Sequence, residues 1–194
     1  MDGDDDALHV GCLLVATPLL VDQNFRKAVV LVVEHEPTEG SLGVVVNRPT
    51  EVSVEKVLPT WAGLATGPQV VFQGGPVALD NALCLASVHG EGEPLGWRRL
   101  EGAAPIDRLG LVDLDAPPEV LAAEIGSLRV FAGYAGWGKG QLEGEIHQGA
   151  WYVVPAEPDD PFAPNPRDLW RSVLRRQGGD LALMATFPED PSLN

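Results

Sequence analysis

Short apolar runs broken by proline and glycine organise this chain. Cys12 to Ala16, Ala28 to Val33, Leu42 to Val46, Gln69 to Gln73, Ala82 to Val88, Leu109 to Leu114 and Ala150 to Val154 have the length and β-branched density of buried strands. Thr17-Pro18 ends the first, and Pro37 to Gly40 turns the second back onto the third, so Val29 to Val46 reads as a hairpin that Asn47-Arg48-Pro49 closes. Leu128 to Phe131 is another apolar run, and it feeds a segment with glycine at 133, 136, 138 and 140. That density predicts a loop of special backbone shape.

Helical spacing is sparser. Asp22 to Lys27 predicts a short helical turn. Ser53 caps a predicted helix with Val54, Val57, Leu58 and Trp61 on one face, ended or kinked by Pro59. Asp115 caps another over about Pro117 to Ile125, stopped by Gly126. Gln141 to His147 fits either period, and helix is preferred because Leu142 and Ile146 then share a face. The clearest helix opens at Asn165-Pro166-Arg167-Asp168, carries Leu169, Trp170, Val173 and Leu174 on one face, and ends at Gly178-Gly179. A last apolar run follows over Leu181 to Ala185. His89 to Pro105 reads as a surface excursion that the core needs least. Strands arriving in pairs before helices favour an α+β fold, with a doubly wound sheet as the alternative.

At 194 residues and 45% hydrophobic content the chain supports one core. The expected division is an acidic tail over 1–10, one domain over 11–187 and a polar tail over 188–194. A net charge of -15 repels phosphate polyanions, so direct nucleic-acid binding is disfavoured. The opening MDGDDD is unlike a secretory signal and no apolar stretch reaches membrane-spanning length, so the chain reads as cytoplasmic and without membrane attachment. Cys12 and Cys84 sit in apolar runs and read as buried reduced thiols.

Candidate chemistry centres on Gly133 to Gln141. Gly133 through Lys139 matches GxxxxGK, but Gly140 stands where a phosphate loop needs Ser or Thr. Lys139 remains a possible anion anchor. Glu143 and His147, spaced i and i+4, suit acid-base work or half a metal site, against the plain reading of a solvated helix face. His35, between Glu34 and Glu36 at a strand end, is a further catalytic candidate. No metal site or cofactor is expected. Arg167, Arg171, Arg175 and Arg176 form a basic stripe that could touch a partner but matches the solvated side of an amphipathic helix.

Four phrases in order, LLVATPLLVDQNFRKAVVLVVEH, LGVVVNRP, VFQGGPV and FAGYAGWGKGQLEGEIHQGAW, resemble the AlgH/YqgE family of bacterial proteins over about Gly11 to Ala185. The resemblance implies a bifurcated mixed sheet, partly closed into a small barrel and surrounded by helices. The ending LALMATFPEDPSLN resembles an actinobacterial variant that lacks the GHA-like finish of many relatives. Many relatives have proline where Lys139 stands, so the phosphate-loop match is read as accidental. Some members carry a transcriptional-regulator label that identifies no DNA-binding element, and the family supplies no catalytic residues to carry over. Asn47, Arg48, Gly74, Gly75, Tyr134, Trp137 and Gln141, with Lys139, are therefore ligand- or partner-binding candidates. The expected function is a non-enzymatic cytoplasmic binding or regulatory protein with an unidentified protein partner. The alternative is an enzyme or binder of a small anionic ligand, using loop 133–141 with Glu143 and His147.

Overall fold

The first strand run is apolar throughout because both of its faces are covered. The computed structural model describes residues 7–102, 106 and 108–188, and every residue of β1 (Leu13–Ala16) is buried in it. Leu13 and Val15 face one core cluster with Leu31, Phe72, Leu85, Trp170 and Leu174, whereas Leu14 and Ala16 face another with Val30, Val32, Trp137 and Trp151. The strands β2 (Val29–Glu36) and β3 (Gly40–Val45) form the expected hairpin, with a bulge between Val32 and Glu34. The fold is a mixed α+β one, with a sheet curled into a half barrel and few helices.

The organising strand is β9 (Ile125–Gly138), and its length corrects the predicted glycine loop. Residues 133–138 are strand because both edges of β9 are paired. Gly136 and Trp137 pair with Leu42 and Ser41 of β3, while Leu128 to Ala132 pair with β6 (Val77–Val88). Only Lys139 and Gly140 remain as a turn before α3 (Gln141–His147), the helix that spacing favoured. On the β3 side, β9 also accepts β5 (Val70–Gln73) in the one parallel pairing of the described strands, Phe72 against Phe131. The edge strand β4 (Pro49–Ser53) joins β5, so the sheet forks where β3 and β5 diverge from β9. The sequence reading missed β4 because it opens on proline and carries polar residues, a pattern tolerated at sheet edges. The main path runs β10 (Trp151–Val154), β1, β2, β3, β9, β6, β8 (Leu109–Val112), β7 (Trp97–Arg99).

Gly133 sets the geometry of the fork. Before it, Arg129 and Phe131 point to the first core and Leu128 and Val130 to a third, with Trp61, Cys84 and Leu121. Strict alternation would keep Ala135 and Trp137 on the face of Phe131, yet they lie in the second core. The left-handed φ of +73° at Gly133 inserts the one-residue shift that exchanges faces. The turn Gln73-Gly-Gly-Pro76 crosses at that point. Gly74 donates to the Ala132 carbonyl at 2.8 Å and accepts from Val45 N at 2.8 Å, tying β3 to β9. A Cβ on Gly75 would stand 2.2 Å from the Tyr134 carbonyl.

Helices are short and cover the core faces locally. Ser53 caps α1 (Val54–Val57) as expected, its Oγ accepting from Lys56 N, but Val57 is exposed and the helix ends before Pro59. The predicted helix at 117–125 shrinks to α2 (Pro118–Leu121), with Pro117 rather than Asp115 at its start, because Ile125 is drawn into pairing with Val88. Asp22 to Lys27 forms hydrogen-bonded turns and no helix. The amphipathic α4 (Leu169–Gln177) buries Leu169, Trp170, Val173 and Leu174 as predicted, and the Trp170 indole donates to Ala16 O at 2.9 Å. The last apolar run lies in α5 (Gly179–Met184). Two further corrections concern the margins. Leu8 is buried in the second core, so packing begins ahead of Gly11. The excursion from His89 contributes β7, whose Trp97 is buried and donates to Ala86 O at 2.9 Å. Residues 103–105 of that excursion, 1–6 of the acidic tail and 189–194 of the polar tail lie outside the described residues. Among the described residues no helix is long and apolar enough to cross a membrane.

Two substitutions separate the roles of the glycines. Gly133→Ala places a Cβ 2.6 Å from Gly75 O at a left-handed φ and is expected to cost at least about 2 kcal/mol in urea unfolding. Gly144→Ala in α3 meets nothing within 4 Å and is expected to stabilise by about 0.5 to 1 kcal/mol.

Candidate functional site

Three polar side chains of the motif phrases, Asn47, Arg48 and Gln141, bond to backbone. Asn47 Oδ1 accepts from Val29 N at 2.9 Å and its Nδ2 donates to Lys27 O at 2.9 Å. Arg48 donates to the carbonyls of Gln23, Asn24 and Arg26, pinning the 22–27 turns, and burial pushes its pKa down against the opposing pull of Asp22. Gly74, Gly75 and Tyr134 do come together, as a backbone crossing. Gln141 Oε1 accepts from Gly138 N at 3.0 Å and closes the turn, while Lys139 is exposed on it.

Glu145, absent from the candidates, is the carboxylate this region is built on. Its Oε2 accepts both the Trp137 and Trp151 indole N–H groups at 2.9 Å, and its Oε1 accepts from Gln141 at 3.2 Å. Phe25 completes the cluster, with ring centroids 6.2 Å from Trp137 and 5.7 Å from Trp151. The signal was present in sequence, since Glu145 lies four residues after Gln141 on a helix flanked by the two tryptophans. Glu143 and His147 share α3, and among the described residues no hydrogen bond or ion pair joins them. His35 sits apart at the end of β2, where its Nδ1 lies 2.8 Å from Ser41 Oγ beside a cleft shared with Arg98 and Arg99.

A second missed residue is Arg129, 1% exposed in the middle of an apolar strand. It donates to Pro161 O, Ala163 O and Gly67 O, stacks over Phe72 at 4.3 Å, and leaves Nε unpartnered. Burial pushes its pKa down to about 10. The lone charge in LRVFAG was its signal. The basic stripe on α4 is partly structural as well. Arg176 pairs with the buried Asp160 at 2.7 Å and Arg171 donates to Ala185 O at 2.9 Å, whereas Arg167 and Arg175 are exposed. Among the described residues no three His, Cys, Asp or Glu side chains stand together as metal ligands.

One concave site carries little internal obligation. At the fork, β4, α1 and β6 wall a cavity of about 360 Å³ over a floor of Val71, Val130 and Ala132. Its rim exposes Val52, Val57 and Leu79 by 41%, 50% and 53%. The wall on the β6 side is a wide bulge. Val77 pairs with Tyr134 and Ala82 with Ala132, so Ala78 to Asn81 stand opposite Gly133 alone. Sequence reasoning passed over these residues because their only common feature is spatial.

Two measurements check these assignments. Glu145→Ala strands two indole donors and is expected to cost about 2 kcal/mol or more in urea unfolding followed by tryptophan fluorescence. Lys139→Ala is expected to stay within about 0.5 kcal/mol of wild type. Desolvation pushes the Cys12 thiol up to about 11 and Cys84 further, so the folded state keeps protons that the unfolded state begins to release near the ordinary value of 9.0. Stability is therefore expected to fall between pH 8 and pH 10.5, and to fall less in a Cys12→Ala, Cys84→Ala variant assayed by the same unfolding.

Comparison with known proteins converges on one group. The AlgH-like family model matches residues 13–182. A UPF0301 protein of Streptomyces coelicolor is 62% identical over 188 residues, covering 95% of this chain and 94% of its own length. A UPF0301 protein of Thermobifida fusca is 54% identical over the whole of both chains. The crystal structure of a Corynebacterium diphtheriae protein superposes with a TM-score of 0.84 at 33% identity, covering 96% of this chain and all of the other. The solution structure of AlgH from Pseudomonas aeruginosa gives 0.66 at 26% identity, covering 93% and 94%. By sequence and by fold, the chain belongs to the AlgH-like family.

Proposed function

We propose that this is a non-enzymatic binding and regulatory protein that receives an apolar group of its partner in the cleft at the sheet fork. The observation that carries this reading is the cleft itself. Its volume lies in the range of ligand pockets, its lining is mostly aliphatic, and its exposed rim is the kind of apolar surface that binding sites retain. The polar side chains of the motif phrases support the same view from the other direction, since those of Asn47, Arg48 and Gln141 are spent on holding backbone.

A regulatory role exerted through such a partner does not need DNA contact. The net charge of -15, and the engagement of Arg171 and Arg176 within the fold, weigh against the Pro166 helix as a DNA reader. Two unpaired buried cysteines suit a reducing cytoplasm. Less supports an anionic substrate at Lys139 with Glu143 and His147, whose side chains are not joined to one another.

Nile red, a neutral apolar dye, tests the cleft. Wild-type protein is expected to bind it saturably, and Leu79→Asp or Val57→Asp to weaken binding about tenfold or more while leaving the thermal midpoint nearly unchanged, because both positions are half exposed. Equal dye binding by wild type and both variants would remove the cleft from this role.

A further inference from the structure

Resting on that reading of the cleft, we infer that its occupant is a short aliphatic segment of a partner protein with a lysine or arginine beside the aliphatic side chains. Among the described residues that line the cavity, Asp80 alone is charged. Asp80 and its neighbour Asn81 are exposed, and among the described residues neither side chain makes a hydrogen bond or ion pair. Both belong to the bulge that stands opposite Gly133, so the backbone that builds the cavity wall also sets a carboxylate and an amide at its edge. An unpaired carboxylate beside apolar surface favours a cation that follows an apolar group into place. Glu51 and Glu55 flank the lining residues in sequence, against one lysine, Lys56, and the whole chain adds a long-range field of the same sign as Asp80.

Two observations select the class of occupant. The apolar lining opens to solvent through Val52, Val57 and Leu79 and extends beyond the cavity at Val77, all at least 40% exposed, an open edge of the kind that a protein segment laid across it covers. Charge decides the rest. A second copy of this chain brings another Asp80 and another -15, and an anionic membrane surface is repelled in the same way. A basic partner segment satisfies the apolar rim, the free carboxylate and the field together.

The test uses the full chain and a library of displayed random peptides, selected on wild type and counter-selected on Leu79→Asp. Enriched peptides are expected to hold aliphatic residues next to lysine or arginine. One such synthetic peptide should bind Asp80→Asn about fivefold to tenfold more weakly than wild type in low salt and recover on Asp80→Glu. Nile red binding should be equal in all three proteins. Enrichment of neutral or acidic flanks, or unchanged peptide affinity in Asp80→Asn, overturns the inference while the cleft keeps its role. Asp80-dependent binding of n-octylamine with no enriched peptide reassigns the occupant to a small amphiphilic cation and overturns the peptide. Loss of Leu79-dependent Nile red binding as well removes the cleft reading on which all of this stands.

Discussion

Gly133 is the point at which one strand changes the face it shows to each side of the sheet. Because β9 supplies side chains to all three cores, that one left-handed residue determines which core receives Phe131 and which receives Trp137. The shift also leaves a place where another chain segment can cross. Gly74 and Gly75 fill it with backbone, and Gly74 bonds β3 and β9 at once. Three glycines from two separate motifs thus satisfy one steric requirement, a crossing too close for any Cβ.

Around this crossing the structure spends its polar side chains on irregular backbone. A forked sheet strands amides and carbonyls that an ordinary ladder would pair, and buried groups of that kind must find partners. Asn47 serves the entry to β2, Arg48 the turns before it, Arg129 the loops at Gly67 and Pro161, and Glu145 the two indoles that close the second core. Arg129 is the costly member, since its charge is compensated by carbonyl dipoles and an aromatic face rather than by a carboxylate. The same fork that demands this stitching opens the cleft. Where Ala78 to Asn81 bow out opposite Gly133, the third core is left without a lid.

Much of the fold was legible along the chain. The apolar runs marked seven strands, the Val29 to Val46 hairpin turned where Pro37 to Gly40 allowed it, and the face of α4 followed from Leu169, Trp170, Val173 and Leu174. Two of the failures share a cause. Residues 133–138 and Ile125 were assigned by local preference, glycine for loop and a capped start for helix, and in both places pairing on β9 overrode it. Of the site, the four motif phrases pointed to the region of the crossing but not to what their side chains do there, because a hydrogen bond between residues 47 and 29 or a cleft shared by residues 52, 57 and 79 has no signature in spacing.

What the sequence determined by itself was the supply of strands, the class of the fold, the acidic field and the family, since these depend on composition, local periodicity and ordered motifs. Only the tertiary structure decided that the glycine-rich stretch is the central strand rather than a loop. It also decided that the side chains of Asn47, Arg48 and Gln141 bond to backbone and that an apolar cleft opens at the sheet fork. The physical reason is that a strand's identity depends on what pairs with its edges, and a side chain's role on whether backbone or solvent lies across from it.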